Sequence, residues 1–140
     1  MSLSQKINQS IMAFDFGEKR IGVAIKQQGT REPRPLVTVD GTIDIMSQLK
    51  HLIRTHQPDL LVVGRPRGLD GQITAQTKKS ELFAAQLRAK TGVAVVLQDE
   101  TLSSVEAERR LPKKTNLKTR KALLDQIAAQ IILEDFLNEQ

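Results

Sequence analysis

Short apolar runs alternate with amphipathic stretches along this chain, and their spacing predicts its elements. Ile11-Met12-Ala13-Phe14-Asp15-Phe16 reads as a strand closed by Gly17, and Ile21-Gly22-Val23-Ala24-Ile25 as a second. Only Glu18-Lys19-Arg20 lies between that glycine and the second strand, so the two form an antiparallel hairpin. Leu36-Val37-Thr38-Val39 adds a third strand. Ile43 to His56 carries a helical stripe of Ile45, Met46, Leu49, Leu52 and Ile53, stopped by Pro58. Leu60-Leu61-Val62-Val63-Gly64 is apolar throughout, as in a strand buried on both faces. After a loop from Gly64 to Gly71 a helix runs to about Lys90, Gly92 breaks it, and Val93-Ala94-Val95-Val96-Leu97 predicts another buried strand. Ser103-Ser104-Val105-Glu106 has capping-box spacing and opens a short helix ended by Pro112. A long helix follows from about Thr119 to Leu137.

The predicted order, β-β-β-α-β-α-β-α-α, implies one α/β domain over residues 1–140. Its mixed sheet combines the antiparallel opening hairpin with parallel strands joined by right-handed crossovers, with helices on both faces. A length of 140 residues suits one core, and 39% hydrophobic residues with 26% charged describe a globular chain. The absence of Cys excludes disulfides, thiolate zinc sites and a cysteine nucleophile. No apolar run approaches the roughly 20 residues a membrane helix needs. The N-terminus lacks the basic-then-apolar order of a signal peptide, so a soluble, cytoplasmic protein is expected.

Charge sharpens the picture. Lys and Arg number 21 against 16 Asp and Glu, a net charge of +5 that points to a polyanionic partner. The stretch from Arg109 to Lys121 holds Arg109, Arg110, Lys113, Lys114, Lys118, Arg120 and Lys121 and no acid. Such a cluster suits phosphate binding better than an ordinary solvated loop. With four Phe and neither Trp nor Tyr, stacking on single-stranded bases contributes little. His51 and His56 fall at or near a helix end and read as surface residues.

Three acids stand in unusual places. Asp15 interrupts an apolar strand, on the face it shares with Ile11 and Ala13. Either Lys19 or Arg20 pairs with it, or it is a metal ligand at a strand end. Asp99-Glu100 follows the last predicted strand, where α/β sheets gather ligands; adjacent strand residues point to opposite faces, so one of the two serves such a site. Asp125 has Ala128, Ala129 and Ile132 at the i+3, i+4 and i+7 positions, which puts it on the buried side of its helix, or at its margin against Lys121. Acids from the first strand, the last strand and the final helix can converge at one end of the sheet. Oxygen-only ligation suits Mg²⁺ or Mn²⁺, and carboxylates beside cations in a small fold fit a nuclease.

Asp15-Phe16-Gly17-Glu18-Lys19-Arg20-Ile21-Gly22-Val23-Ala24 resembles the opening motif of the YqgF family. Three further segments extend the likeness over roughly Ile11 to Leu137: Val63-Gly64-Arg65-Pro66 with Asp70-Gly71, Asp99-Glu100-Thr101-Leu102-Ser103-Ser104-Val105-Glu106-Ala107, and Lys121-Ala122-Leu123-Leu124-Asp125-Gln126-Ile127-Ala128-Ala129. The resemblance implies a ribonuclease H-like fold and a Mg²⁺-dependent nuclease. It implies 5′-end maturation of precursor 16S ribosomal RNA, on free RNA or ribosomal precursor particles, or alternatively resolution of Holliday junctions in branched DNA. It places the catalytic, metal-holding acids on Asp15, Glu100 and Asp125, and so favours Glu100 over Asp99. Lys19, Arg20, Arg65, Arg67, Lys113, Lys114, Lys118, Arg120 and Lys121 are then the candidates for gripping phosphates. Thr101 stands where the family usually has Arg, which removes a cation next to Glu100. A non-catalytic nucleic-acid-binding factor is the alternative from another class.

Overall fold

The computed structural model describes residues 1–100, 103–113 and 116–139, with the backbone alone at 103 and 104. Thr101 and Lys114, and the side chain of Ser103 as a helix cap, lie outside the described residues. The elements are α1 (Leu3–Ile7), β1 (Ile11–Phe16), β2 (Arg20–Lys26), β3 (Arg34–Asp40), α2 (Ile45–His56), β4 (Leu60–Pro66), α3 (Ala75–Thr91), β5 (Ala94–Glu100), α4 (Ser103–Arg110) and α5 (Leu117–Asn138). A 3₁₀ turn at Leu69–Gly71 lies within the segment expected as a loop, and β4 runs two residues further into that segment than its apolar run.

The sheet order is β3-β2-β1-β4-β5. β2 runs antiparallel to β1 and β3, whereas β4 is parallel to β1 and to β5. The carboxyl ends of β1, β4 and β5 therefore share one edge of the sheet. Alternation sorts the strand residues into two layers. Met12, Phe14, Ile21, Val23, Leu61 and Val63 pack with Leu49 and Ile53 of α2 and with Phe83 and Leu87 of α3. Ile11, Ala13, Ala24, Leu60 and Val62 pack with Ala129, Ile132, Leu133 and Leu137 of α5. α4 closes on the far side of α5 through Ala107, Leu111, Ile127 and Ile131.

Two expectations change. β5 is an edge strand rather than a buried one: Gln98 is its one buried residue and Leu97 is 37% exposed. Its apolar run is that of an interior strand, but among the described residues no further strand covers its outer side. The second change is α1, too short at five residues to show periodicity. Its visible signal is the reciprocal cap between Ser2 and Gln5.

Two lysines tie α1 down. Lys26 is fully buried, and its Nζ donates to the Lys6 and Ile7 carbonyls at 2.8 and 2.9 Å. Lys6 Nζ in turn donates to the carbonyls of Phe136 and Glu139 at the end of α5, and lies 4.4 Å from the Phe136 ring centre. Each ammonium adds a charged donor at the carboxyl end of a helix, where cations are favourable; the Ile7 carbonyl also accepts from Gly29 N and the Lys6 carbonyl from Gln9 N. Lys26→Met keeps the apolar stem but removes two charge-assisted hydrogen bonds while each carbonyl keeps a backbone donor, so a loss of about 1–2 kcal/mol in urea unfolding is expected, with faster proteolysis of the first eight residues.

Candidate active site

Asp15 is the fifth residue of β1, on the α5 side of the sheet. Its antiparallel partner is Gly22. On the other side β4 presents Gly64, next after Val63, the parallel partner of Phe14. Both glycines make room. A methyl group at Gly22 would overlap the backbone carbonyl of Asp125, so α5 can cross β2 this closely only because that side chain is absent. A methyl group at Gly64 would overlap the Ile132 side chain and stand 3.0 Å from the Glu100 carboxyl carbon. Two glycines flanking one aspartate thus admit a carboxylate from α5 and another from β5.

α5 is pinned around Asp125. Thr38 Oγ1 of β3 donates to the Ala122 carbonyl at 2.6 Å and receives Gln126 Nε2 at 3.1 Å. The Asp125 carboxylate accepts from Arg20 Nε at 2.7 Å, so its cation comes from β2 and not from Lys121 on its own helix. Asp15 is hydrogen-bonded to Glu100 and lies within the field of Asp125. Its pKa is pushed up to about 6, first by burial and then by the Asp125 charge, with the Glu100 hydrogen bond acting the other way. Among the described residues no three Asp, Glu or His side chains are arranged to hold one ion between them; Asp125 is engaged by Arg20 instead.

In front of this group lies an open cleft of about 410 Å³ lined by Asp15, Gly17, Glu18, Lys19, Arg20, Gln76 and Asp125. Gln76 Nε2 donates to the Phe16 carbonyl at 3.2 Å, and Lys79 pairs with Glu18. These contacts bring the start of α3 against the rim. Nothing in the local pattern of the chain singled out Gln76. Gly22 and Gly64 did carry a signal, as glycines inside otherwise apolar strands.

The remaining candidates stand apart from one another. Asp99 points to the α3 side of the sheet, opposite to Glu100. It accepts from Arg65 Nε at 2.8 Å and Arg67 Nε at 3.3 Å, and these guanidinium groups hold it below the usual carboxylate range. Arg65 also meets Glu81 of α3. Arg65 and Arg67 are therefore on the face away from Asp15, already bound to acids. Much of the basic tract is matched too: Arg110 bonds both carboxylate oxygens of Glu134 at 2.9 Å, Arg109 and Arg110 share Glu106, and Arg120 pairs with Glu108. Lys113, Lys118 and Lys121 are exposed, with no ion pair among the described residues. His51 is exposed and His56 half-buried on α2, apart from the acids.

A mixed sheet in the order β3-β2-β1-β4-β5, with acidic side chains gathered at the carboxyl ends of β1 and β5 and one helix laid across them, is a ribonuclease H-like architecture. Two solved structures share this shape. Thermus thermophilus RuvC in complex with Holliday junction substrate superposes with a TM-score of 0.51 at 10% identity, over 85% of this chain and 90% of that one. Fowlpox virus resolvase in complex with Holliday junction DNA superposes at 0.55 and 16% identity, over 89% and 93%. Residues 9–139 match the family described as RuvX, Holliday junction resolvase. A Nitrosococcus oceani protein with the provisional name pre-16S rRNA nuclease is 41% identical over 133 residues, covering 93% of this chain and 87% of its own. A Yersinia pestis protein with the same provisional name is 42% identical over 137 residues, covering 95% and 97%. The chain belongs to the RuvX (YqgF) family, a family of nucleases.

Proposed function

We propose that residues 1–140 act as one divalent-metal-dependent endonuclease domain that cleaves phosphodiesters in structured RNA and matures the 5′ end of precursor 16S rRNA. The observation that carries the reading is Asp15 in contact with Glu100 and facing Asp125 at an open cleft, with its carboxyl driven toward neutrality. A site that crowds negative charge in this way gains from a hard cation, and its donors are all oxygens, which fits Mg²⁺ or Mn²⁺. Asp15, Glu100 and Asp125 would hold the metal, whose chemistry there is to activate water and steady the leaving oxygen. Arg20 positions Asp125 through Nε and presents its other N–H groups to a phosphate in the cleft, with Lys19 beside it on the rim. Lys118 and Lys121 add charge along the start of α5 and Lys113 before it, with Lys114 a candidate by its place in the sequence, whereas Arg65, Arg67 and Arg120 contribute only if substrate displaces their acids.

The names of the relatives favour the RNA, and the family's description with the junction-bound fold neighbours favours branched DNA as the second reading. No helix among the described residues is long and apolar enough to cross a membrane, in keeping with work on precursor ribosomal particles in the cytoplasm. The test is incubation with precursor 16S rRNA, a four-way DNA junction and linear duplexes, each in Mg²⁺, Mn²⁺, Ca²⁺ or EDTA. Expected is shortening of the precursor's 5′ end in Mg²⁺ and Mn²⁺, and none in Ca²⁺ or EDTA. Cutting in EDTA overturns the metal reading. Cutting of the junction alone moves the substrate to DNA, and binding without cutting in any metal points to the non-catalytic factor.

A further inference from the structure

All three arginines in the tract from Arg109 to Lys121 are matched by acids, but a second group of cations is not. α2 carries Lys50, His51, Arg54 and His56 and no acid along its length. Beyond Glu81, α3 carries Arg88 and Lys90 and no acid. Lys50 and Arg54, one turn apart on α2, converge with Lys90 of α3 on a cleft of about 320 Å³ completed by Ile53 and Thr91. No carboxylate lines it, and among the described residues Lys50, Arg54, Arg88 and Lys90 enter no ion pair.

A cation in the last turn of a helix is favourable, and each helix taken alone needs no other explanation. Convergence of both sets on one cleft is different, because the like charges repel and no acid among the described residues pairs with them. We propose that this cleft binds backbone phosphates of the RNA substrate, at a distance from the bond that is cut. The proposal rests on the nuclease reading above and adds a second contact to it.

Position decides the kind of ligand. α3 starts beside the acids, where Gln76 meets the Phe16 carbonyl, and runs 17 residues to Thr91, a span of about 25 Å. The cleft therefore lies at the opposite end of the molecule from Asp15. The exposed row of α3 between the two, Lys78, Leu82, Ala85, Gln86, Ala89 and Lys90, contains no acid. A mononucleotide cannot reach both places, whereas an RNA arm extending some 25 Å from the cut can. The substrate is then an RNA that keeps such an arm, and the cleft selects for it by charge.

The test compares Arg54→Ala/Lys90→Ala with Arg31→Ala/Arg34→Ala, which removes two exposed charges elsewhere. Affinity for a precursor 16S rRNA fragment is measured by fluorescence anisotropy in Ca²⁺ across a salt series, and single-turnover cleavage in Mg²⁺ at saturating RNA. Expected for Arg54→Ala/Lys90→Ala is at least tenfold weaker binding at low salt and a log K against log salt slope shallower by about 2, with the saturating cleavage rate unchanged. That difference vanishes on an RNA whose arm is cut back to well under 25 Å. An unchanged slope, or equal losses in both double variants, overturns the proposal, the latter by showing that net charge alone matters. Wild-type protein that binds the fragment without cutting it removes the nuclease reading, and the slopes still decide whether the cleft is used.

Discussion

Asp15→Asn is expected to abolish cleavage while making the metal-free protein more stable at neutral pH. Both effects have one cause. Asp15 pairs with no cation among the described residues, is desolvated beneath α5 and faces the charge of Asp125, so its pKa is pushed up to about 6 from its ordinary value near 3.8. A carboxyl whose folded pKa is raised binds more protons in the native state than in the unfolded one between about pH 4 and 6. Its contribution to stability is full below that window and falls as pH rises through it. At pH 7.5 the ionised side chain is a net cost, on the order of 2–3 kcal/mol. Asn keeps the shape and loses the charge, so in EDTA the variant should melt about 3–8 °C higher than wild type, and its stability should be flatter between pH 4 and 6. Cleavage in Mg²⁺ should fall by three orders of magnitude or more, because a metal-assisted reaction loses several kcal/mol of charge stabilisation with its ligand. The checks are thermal melting in EDTA across pH and a cleavage assay on the same preparation. A variant that is destabilised and still active would mean that Asp15 serves only to build the sheet.

Gly22→Ala should cost more stability than any other single methyl group added to this sheet, about 3 kcal/mol or more. The new carbon would overlap the Asp125 carbonyl, backbone against backbone, so either β2 or α5 has to move. α5 is fastened to β3 through Thr38 and covers the layer of Ala13, Ala24 and Val62, so moving it opens the core. Gly64→Ala is the informative contrast. There the overlapping atom is the end of the Ile132 side chain, which can rotate, and the next is the Glu100 carboxyl, which can swing. Gly64→Ala should therefore fold with a loss of about 1–2 kcal/mol, and its larger defect should be in cleavage, by displacing Glu100 from Asp15. Urea unfolding of both variants, with cleavage assayed on Gly64→Ala, separates the two. Equal and small stability losses would show that α5 does not press on β2 as closely as described.

The strands in the middle of the sheet could be read from the chain because their burial is written into their composition. Ile11 to Phe14 and Leu60 to Val63 are apolar at every position, and each proved buried on both sides. The same reasoning misplaced Val93 to Leu97, since an apolar run does not say whether another strand lies beyond it. Ala128 and Ala129 marked the side of α5 that faces inward, and both are buried. They did not reveal which cation Asp125 meets. The local candidate was Lys121, four residues away, and the structure supplies Arg20, 105 residues away. The basic run was read in the same local way: Glu106, Glu108 and Glu134 lie outside it along the chain and against it in space. The cations that do converge without acids come from two helices and form no run at all.

What the sequence by itself determined is the identity of nearly every element and the face to which each strand residue turns. Backbone periodicities of two and 3.6 residues are local, and they sort Asp15 from Phe14 and Glu100 from Asp99 without reference to the rest of the chain. Only the tertiary structure decided which charges meet: Asp125 with Arg20, Asp99 with Arg65, Glu134 with Arg110. Electrostatic energy depends on distance and burial, and both are set by which remote segments the fold lays side by side.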